Sequence, residues 1–429
     1  MRIFRAISIF FCLPFLFACT GGGNSSDQDA PDPGMLVTVP SDAVAIASFD
    51  KCSDAIDFLP DSTDILKKLD LSALGNARCI LSYCNTGSLS PILTIDAGNA
   101  DTETPGCTHI LTQCSEYGLQ GSVFHGCWGN GTKSALCISP SHTLLEAVRR
   151  HINSGTSIMD APFFEAALNK AGDMSQTVFL RNTKAALMLP RPFFGDFLPR
   201  RQVASFIGTV ADWTILEFTA KACIITTYGQ NSDKYFANLL DKIPSEECRI
   251  CGVLPRSTDM VISLATPHGA FREAYENYLD ANTGIESYRK ELSRLSKACR
   301  KAPVSWEEEN MIDEIARVHW EGREVLAARS GRKDVLNGTS ENLYRGYIKA
   351  LYGSAFSAPS DSVQARFGEW MIFGSAEDVS AFVSIETRRM EEGILPSKIY
   401  SFMIYEPGKL IYSDKKGERY GVSIGKQAY

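Results

Sequence analysis

The chain has 429 residues, 44% of them hydrophobic and 22% charged, with a net charge of −7. This composition excludes a disordered chain and supplies apolar material for two or three domains. A mildly acidic chain lacks the basic excess that marks nucleic-acid binders, so no nucleic-acid partner is expected.

The first residues stand apart. Residues 1–5 make a short basic start, and residues 6–18 form an apolar run interrupted by Ser8 and Pro14. The run is shorter than the roughly 20 residues that a bilayer core demands, and it has the length and flanks of an export signal. It ends in Leu16-Phe17-Ala18-Cys19. These residues resemble the lipobox of bacterial lipoproteins, with Leu three places before the Cys and a small residue directly before it. The resemblance implies that residues 1–18 are removed as a signal peptide. Cys19 then becomes an N-terminus carrying three acyl chains, and these anchor the protein to a membrane. Loss of Arg2 and Arg5 makes the mature chain two charges more negative. Residues 19–35, rich in Gly, Ser, Asp and Pro, read as a flexible tether. Thr20 rather than Asp follows the Cys, which by the same resemblance implies the outer membrane, facing either side. No other stretch has 18 uninterrupted apolar residues, so nothing else is expected to span a membrane.

The body opens with Val39-Pro40-Ser41-Asp42-Ala43-Val44-Ala45-Ile46-Ala47-Ser48-Phe49, whose apolar alternation predicts a strand. A helical stretch with Ala55, Ile56, Phe58 and Leu59 follows. Strands are predicted over 79–83, 91–95, 109–111, 122–124 and 134–139. If 108–128 folds as a hairpin around Glu116-Tyr117-Gly118, Cys107 and Cys127 come opposite one another. Residues 143–150 form an amphipathic helix with Ser141 as its cap. Further strands are predicted over 177–180, 213–218 and 222–228, and then a helix over 233–243 that stops before Pro244.

Two landmarks recur downstream. Leu254-Pro255-Arg256-Ser257-Thr258-Asp259-Met260-Val261-Ile262-Ser263-Leu264 repeats the proline, polar turn and strand of the opening, and a helix with Ala270, Phe271, Tyr275 and Leu279 follows it. The strand-to-helix step at 134–150 has its counterpart at 369–382. Between these landmarks, charged and apolar residues mix at helical spacing from 281 to 328, as in Met311, Ile312, Ile315, Val318 and His319. This predicts a pair of helices broken at Pro303. Late strands are predicted over 398–405 and 410–413, with Pro407-Gly408 as the turn. The reading is an α+β fold of two related domains, 36–247 and 252–429. Each has a mainly antiparallel sheet with helices packed on one face, and the second carries a helical insert at about 281–328.

Val39-Pro40, Asp42-Ala43, Ala45 and Asp50 resemble the VP-x-DA-x-A-x-x-x-x-D opening of lipoproteins of unknown function from Bacteroides-type bacteria. The stretch 153–164 has the same flavour. That resemblance implies a long, strand-rich, internally repeated body and brings no catalytic residues with it.

Thirteen cysteines are present. With Cys12 in the signal and Cys19 lipidated, eleven remain, seven of them between Cys52 and Cys137. Export permits disulfides, whose pairing the sequence does not give. Cys248-Arg249-Ile250-Cys251 admits a structural disulfide or inert thiol pair, half of a zinc site, or a redox dithiol. Gly252 and Pro255 disfavour the helix that a redox pair wants, and no second ligand pair at zinc spacing follows, so the first reading is preferred.

The six histidines offer no ligand pair. His142 and His151 point to opposite sides of one helix, His125 reads as a packed strand residue, and His268 reads as a loop residue. Glu307-Glu308-Glu309 reads as a solvated helix start. Phe193, Phe194 and Phe197, followed by Arg200-Arg201, make an aromatic loop that folds on the core or meets a partner. No nucleophile elbow or phosphate loop follows a strand, and no cofactor or metal is implied. Two functions fit: a lipid-anchored envelope protein with a non-catalytic binding or scaffolding role, or an envelope hydrolase acting on glycan or peptide through a site assembled from distant residues.

The lipobox reading makes a direct prediction. Wild-type protein fractionates with membranes and enters the detergent phase, whereas Cys19→Ala appears in the aqueous fraction. Tight membrane association of the variant overturns the reading.

Overall fold

A computed structural model of the chain describes residues 34–56, 66–85, 89–99, 101–128, 131–171, 176–184, 208–218, 222–244, 246–330, 340–341, 345–353, 356–357, 363–385, 400–406, 409–413 and 419–423. Cys19, the expected signal 1–18, most of the expected tether 19–35, and Phe193, Phe194 and Phe197 lie outside the described residues. The chain divides into two compact units at Gln230/Asn231.

The first unit begins with a 3-10 turn, Gly34–Thr38, that buries Met35 and Leu36. The body therefore starts slightly before the expected position 36. Its elements are β1 (Ala45–Phe49), α1 (Cys52–Ile56), β2 (Cys79–Asn85), β3 (Leu89–Gly98), α2 (Pro105–Glu116), β4 (Gln120–Trp128), β5 (Gly131–Ser139), α3 (His142–Ser154), α4 (Phe164–Lys170), β6 (Thr177–Arg181), β7 (Trp213–Phe218) and β8 (Ala222–Tyr228). The strands form an antiparallel sheet in the order β4-β5-β3-β2-β1-β6-β7-β8.

The second unit begins with α5 (Phe236–Lys242) and β9 (Thr258–Ala265). The helices α6 (Ala270–Ala281), α7 (Ile285–Cys299) and α8 (Pro303–Asn310) precede β10 (Ile312–Trp320) and β11 (Arg323–Ser330). Then come β12 (Ser340–Glu341), α9 (Arg345–Tyr352), β13 (Val363–Phe367), β14 (Trp370–Gly374), α10 (Ala376–Ser384), β15 (Tyr400–Glu406), β16 (Lys409–Ser413) and β17 (Arg419–Ser423). The sheet order is β13-β14-β11-β10-β9-β15-β16-β17, all antiparallel, with β12 beside β13.

These two orders are the same when the strands are matched in chain sequence. Apart from the two-residue β12 at the edge of the second sheet, the first strand of each unit lies inside its sheet, the next four extend one way and the last three the other. The helix after the hairpin β4–β5 is α3, and the helix after β13–β14 is α10, at the same sheet position. The two units are related α+β folds, and the landmarks in the sequence mark equivalent places.

The main core of the first unit joins Ile46, Ile80, Ile92, Cys137, Phe179 and Ile215 from the sheet to Leu144, Leu145, Val148 and Phe164 from α3 and α4. Phe164 meets Phe179 and Trp213 edge to face at 5.3 and 4.9 Å. The Trp213 indole donates to the Pro162 carbonyl at 2.9 Å, which satisfies the only polar atom of a wholly buried ring. In the second unit α10 supplies Val379 and Phe382 to a core with Val261, Val318, Trp320 and Ile372.

Several local expectations change. Residues 109–111 belong to α2 rather than to a strand. Pro105 stands at its first turn, and Cys107, Ile110 and Cys114 are buried at helical spacing. Cys107 is therefore not in a hairpin facing Cys127. Beside α2, Gly121 of β4 allows close approach, since a Cβ there would lie 2.6 Å from Leu111. Ser141 stands at the start of α3 but makes no side-chain cap. Instead Ser139 Oγ accepts the Ser141 N–H and donates to the Pro91 carbonyl.

The insert is also redrawn. Residues 270–310 hold three helices, and 312–328 lies in a β-hairpin, so the helical insert does not extend to 328. Ile315 and Val318 suit helical spacing, but Ile312, Ile315, Val318 and Val325 are β-branched, which favours strands. Glu321 and Gly322 both have positive φ, at 49° and 74°, and form the two-residue turn that hairpins prefer. The boundary between units comes earlier than the expected 247–252, because α5 packs on α6 through Phe236, Phe271 and Tyr278. Among the described residues, no helix is long and apolar enough to cross a membrane.

Phe164 holds the first core together, so Phe164→Ala is expected to cost about 3–5 kcal/mol of stability. A urea midpoint close to that of the parent chain would contradict this packing.

Candidate functional site

The chemistry-bearing residues singled out in the sequence, Cys248 and Cys251, sit at the entry to the second unit. A single 3-10 turn, Ile250–Gly252, carries Cys251. Gly252 and Pro255 leave no room for a longer helix there. The segment packs against Glu314 on β10, a residue that no sequence motif marks.

Glu314 is almost wholly buried, yet both of its oxygens are engaged. Oε2 accepts the Arg249 N–H at 2.7 Å, and Oε1 accepts the Ile250 N–H at 3.1 Å and the Ser263 hydroxyl at 2.8 Å. Burial pushes its ionisation up to about 7, against the pull of these donors and of Arg329. Next to it, Arg329 binds Asp313 through two hydrogen bonds of 3.1 and 2.8 Å. Glu314 thus fastens the 249–250 backbone to the sheet.

The same burial acts on the thiols. Cys248 is held well above its ordinary ionisation by desolvation and then by the charge of Glu314. Cys251 is pushed up to about 12, again chiefly by burial. A nucleophilic or metal-binding cysteine needs its thiolate favoured, and this environment does the reverse. No group of three or more His, Cys, Asp and Glu among the described residues is arranged to hold a metal ion.

A second polar cluster lies among the helices of this unit, which pack on one another. Arg272 on α6 donates from Nε to Glu307 Oε2 at 2.8 Å, and Tyr352 on α9 donates to Glu307 Oε1 at 2.7 Å. Arg272 also lies 3.7 Å from Glu276. Glu307 is fully buried, so the expected solvated run applies to Glu308 and Glu309 alone. The cause is position: α8 starts at Pro303, which places Glu307 in its second turn, facing Arg272. Stacked rings of Tyr275, Phe271 and Tyr352 line the same region, with centroids 5.4 and 5.7 Å apart. Burial, and then the charge of Glu307, keep the Tyr352 hydroxyl protonated far above its ordinary range.

The histidines stay apart from these clusters in the hydrogen-bond pattern. His142 and His151 fall on α3 as expected. His125 is exposed on β4 rather than packed, and its Nδ1 lies 2.9 Å from Ser134 Oγ. His268 lies in the connection from β9 to α6, as a loop residue. No protein-family model, curated protein or solved structure matches the chain.

Glu314 sets a pH dependence. Its folded ionisation is raised from the ordinary 4.5 to about 7, so the folded chain binds this proton more tightly than the unfolded chain does. The stability this supplies is fully present below about pH 4.5 and is lost as pH rises through about 7. Glu314→Gln is expected to flatten that part of the stability profile in urea titrations. Glu314→Ala leaves three donors without their acceptor and should cost about 3 kcal/mol. An unchanged pH profile in the Gln variant would show that Glu314 does not titrate in this range.

Proposed function

We propose that this protein is a lipid-anchored lipoprotein of the Bacteroides type, held at the outer membrane through acylated Cys19, and that its two related units bind or scaffold envelope components rather than catalyse a reaction. The observation that carries the non-catalytic part is the engagement of both oxygens of each buried carboxylate. Glu307 and Glu314 have each oxygen occupied by donors from the protein's own framework. A general base needs a lone pair aimed at substrate, and every oxygen here already braces the framework. The thiols of Cys248 and Cys251 are likewise biased against the reactive form.

The anchor supports the envelope address: a lipobox, then Gly-, Ser- and Asp-rich residues, then a body that begins with buried Met35 and Leu36. A protein or a glycan of the envelope is the class of partner that fits this address.

Two measurements test the reading together. Photocrosslinking in intact cells should trap a discrete envelope component, and the adduct should weaken when Cys19→Ala removes the anchor. Purified protein incubated with envelope glycan and peptide mixtures should return them unchanged. Turnover abolished by a point substitution that leaves thermal stability intact would replace the binding role with the hydrolase.

A further inference from the structure

We propose that Cys52 and Cys79 are joined by a disulfide when the chain folds in the presence of a disulfide donor, fastening the end of β1 to the start of β2. The backbone brings them together. Cys79 opens β2 directly opposite Phe49, the last residue of β1. Cys52 follows Phe49 by three residues and begins α1. The Cys52 N–H donates to the Ala77 carbonyl at 2.9 Å, and the Ser53 N–H donates to the Gly75 carbonyl at 3.3 Å. An Asp50–Arg78 ion pair at 3.5 Å ties the residues just before each half of the crossing. Both side chains are fully buried, and Cys52 is the largest single influence on the ionisation of Cys79. A disulfide requires this kind of backbone proximity, with side chains directed at each other. Cys107 and Cys114 show the contrast. Seven residues apart on α2, they are separated by about 10 Å of helix rise and cannot be bridged.

The chemistry fixes when the bond forms. The contact with Cys52, together with burial, raises the ionisation of Cys79 far above that of an exposed thiol, so the folded dithiol is a poor nucleophile. Exchange therefore belongs to the folding chain, before α1 and β2 close over the pair. One cysteine, as thiolate, attacks a sulfur of the donor disulfide, forming a mixed disulfide and expelling the donor's first thiolate. The second cysteine then displaces the donor's other sulfur. The two S–H protons end on the donor's sulfurs, and two electrons pass from the chain to the donor. In the cell, the supply of donor rests on the export reading. The bond itself rests on the geometry.

The test uses the mature, detergent-solubilised chain, unfolded under reduction and refolded with oxidised glutathione. Remaining thiols are alkylated before digestion without reductant. Trypsin cuts after Lys51 and Arg78, and chymotrypsin after Tyr83, which separates Cys79 from Cys84. The expected product is a linked peptide pair containing Cys52 and Cys79 that separates on reduction. In Cys52→Ser, Cys79 should instead be recovered alkylated. Recovery of both cysteines alkylated in the parent chain, or of either joined to a different cysteine, overturns the proposal, whether or not the variant folds. Formation of the link in vitro supports it even where the chain isolated from cells is fully reduced, and that second result would count against export instead.

Discussion

Each unit places its first strand inside the sheet, and the rest of the architecture follows from that constraint. An interior strand has two rows of backbone N–H and C=O groups to satisfy. For β1 one row is met by β2, where Ile46 faces Ser82, and the other by β6, where Ile46 faces Phe179. The second partner arrives more than a hundred residues later in the chain. For β9 the partners are β10 and β15. Neither sheet is complete until its last strands return, so folding of each unit depends on long-range closure.

The same constraint explains why the entry to that strand recurs. In the first unit the Ala43 N–H donates to the Pro40 carbonyl at 3.0 Å, and in the second the Thr258 N–H donates to the Pro255 carbonyl at 3.1 Å. A proline followed three residues later by the returning N–H makes a tight turn that aims the chain into the sheet. Arg181 at the end of β6 clamps the first turn from the far side, donating to the Ser41 carbonyl at 3.1 Å. The proline landmark is thus the start of the central strand in both units.

The units diverge between their first and second strands. There the first unit has α1 and short 3-10 turns, and the second has α6, α7 and α8. This longer crossing brings buried charge with it. Glu307 is held by Arg272 and Tyr352 from two other helices, and Glu314, four residues beyond α8, is held by the backbone of 249–250. A buried carboxylate is tolerated when its oxygens are hydrogen-bonded, and both are bonded by groups far apart in sequence. These clusters fix how helices and entry segment meet the sheet in the second unit, a role the first unit fills with apolar contacts such as Phe164 on Trp213.

Much of this was legible in the chain. Alternation of apolar residues located most strands, because a half-buried strand repeats every two residues whatever its neighbours. The paired landmarks located the duplication, because equivalent turns need equivalent residues. Short apolar runs such as 109–111 read equally as strand or helix, and only packing of Cys107, Ile110 and Cys114 on one side decided for α2. Ile312, Ile315 and Val318 were drawn into β10 because β9 and β11 offered both rows of hydrogen bonds. The sites were the least legible. Glu307 looks like one of three solvated acids, and Glu314 looks like any strand glutamate. What makes each of them buried and bonded at both oxygens is the arrival of Arg272, Tyr352, Ser263 and the 249–250 backbone, which only the tertiary structure brings together.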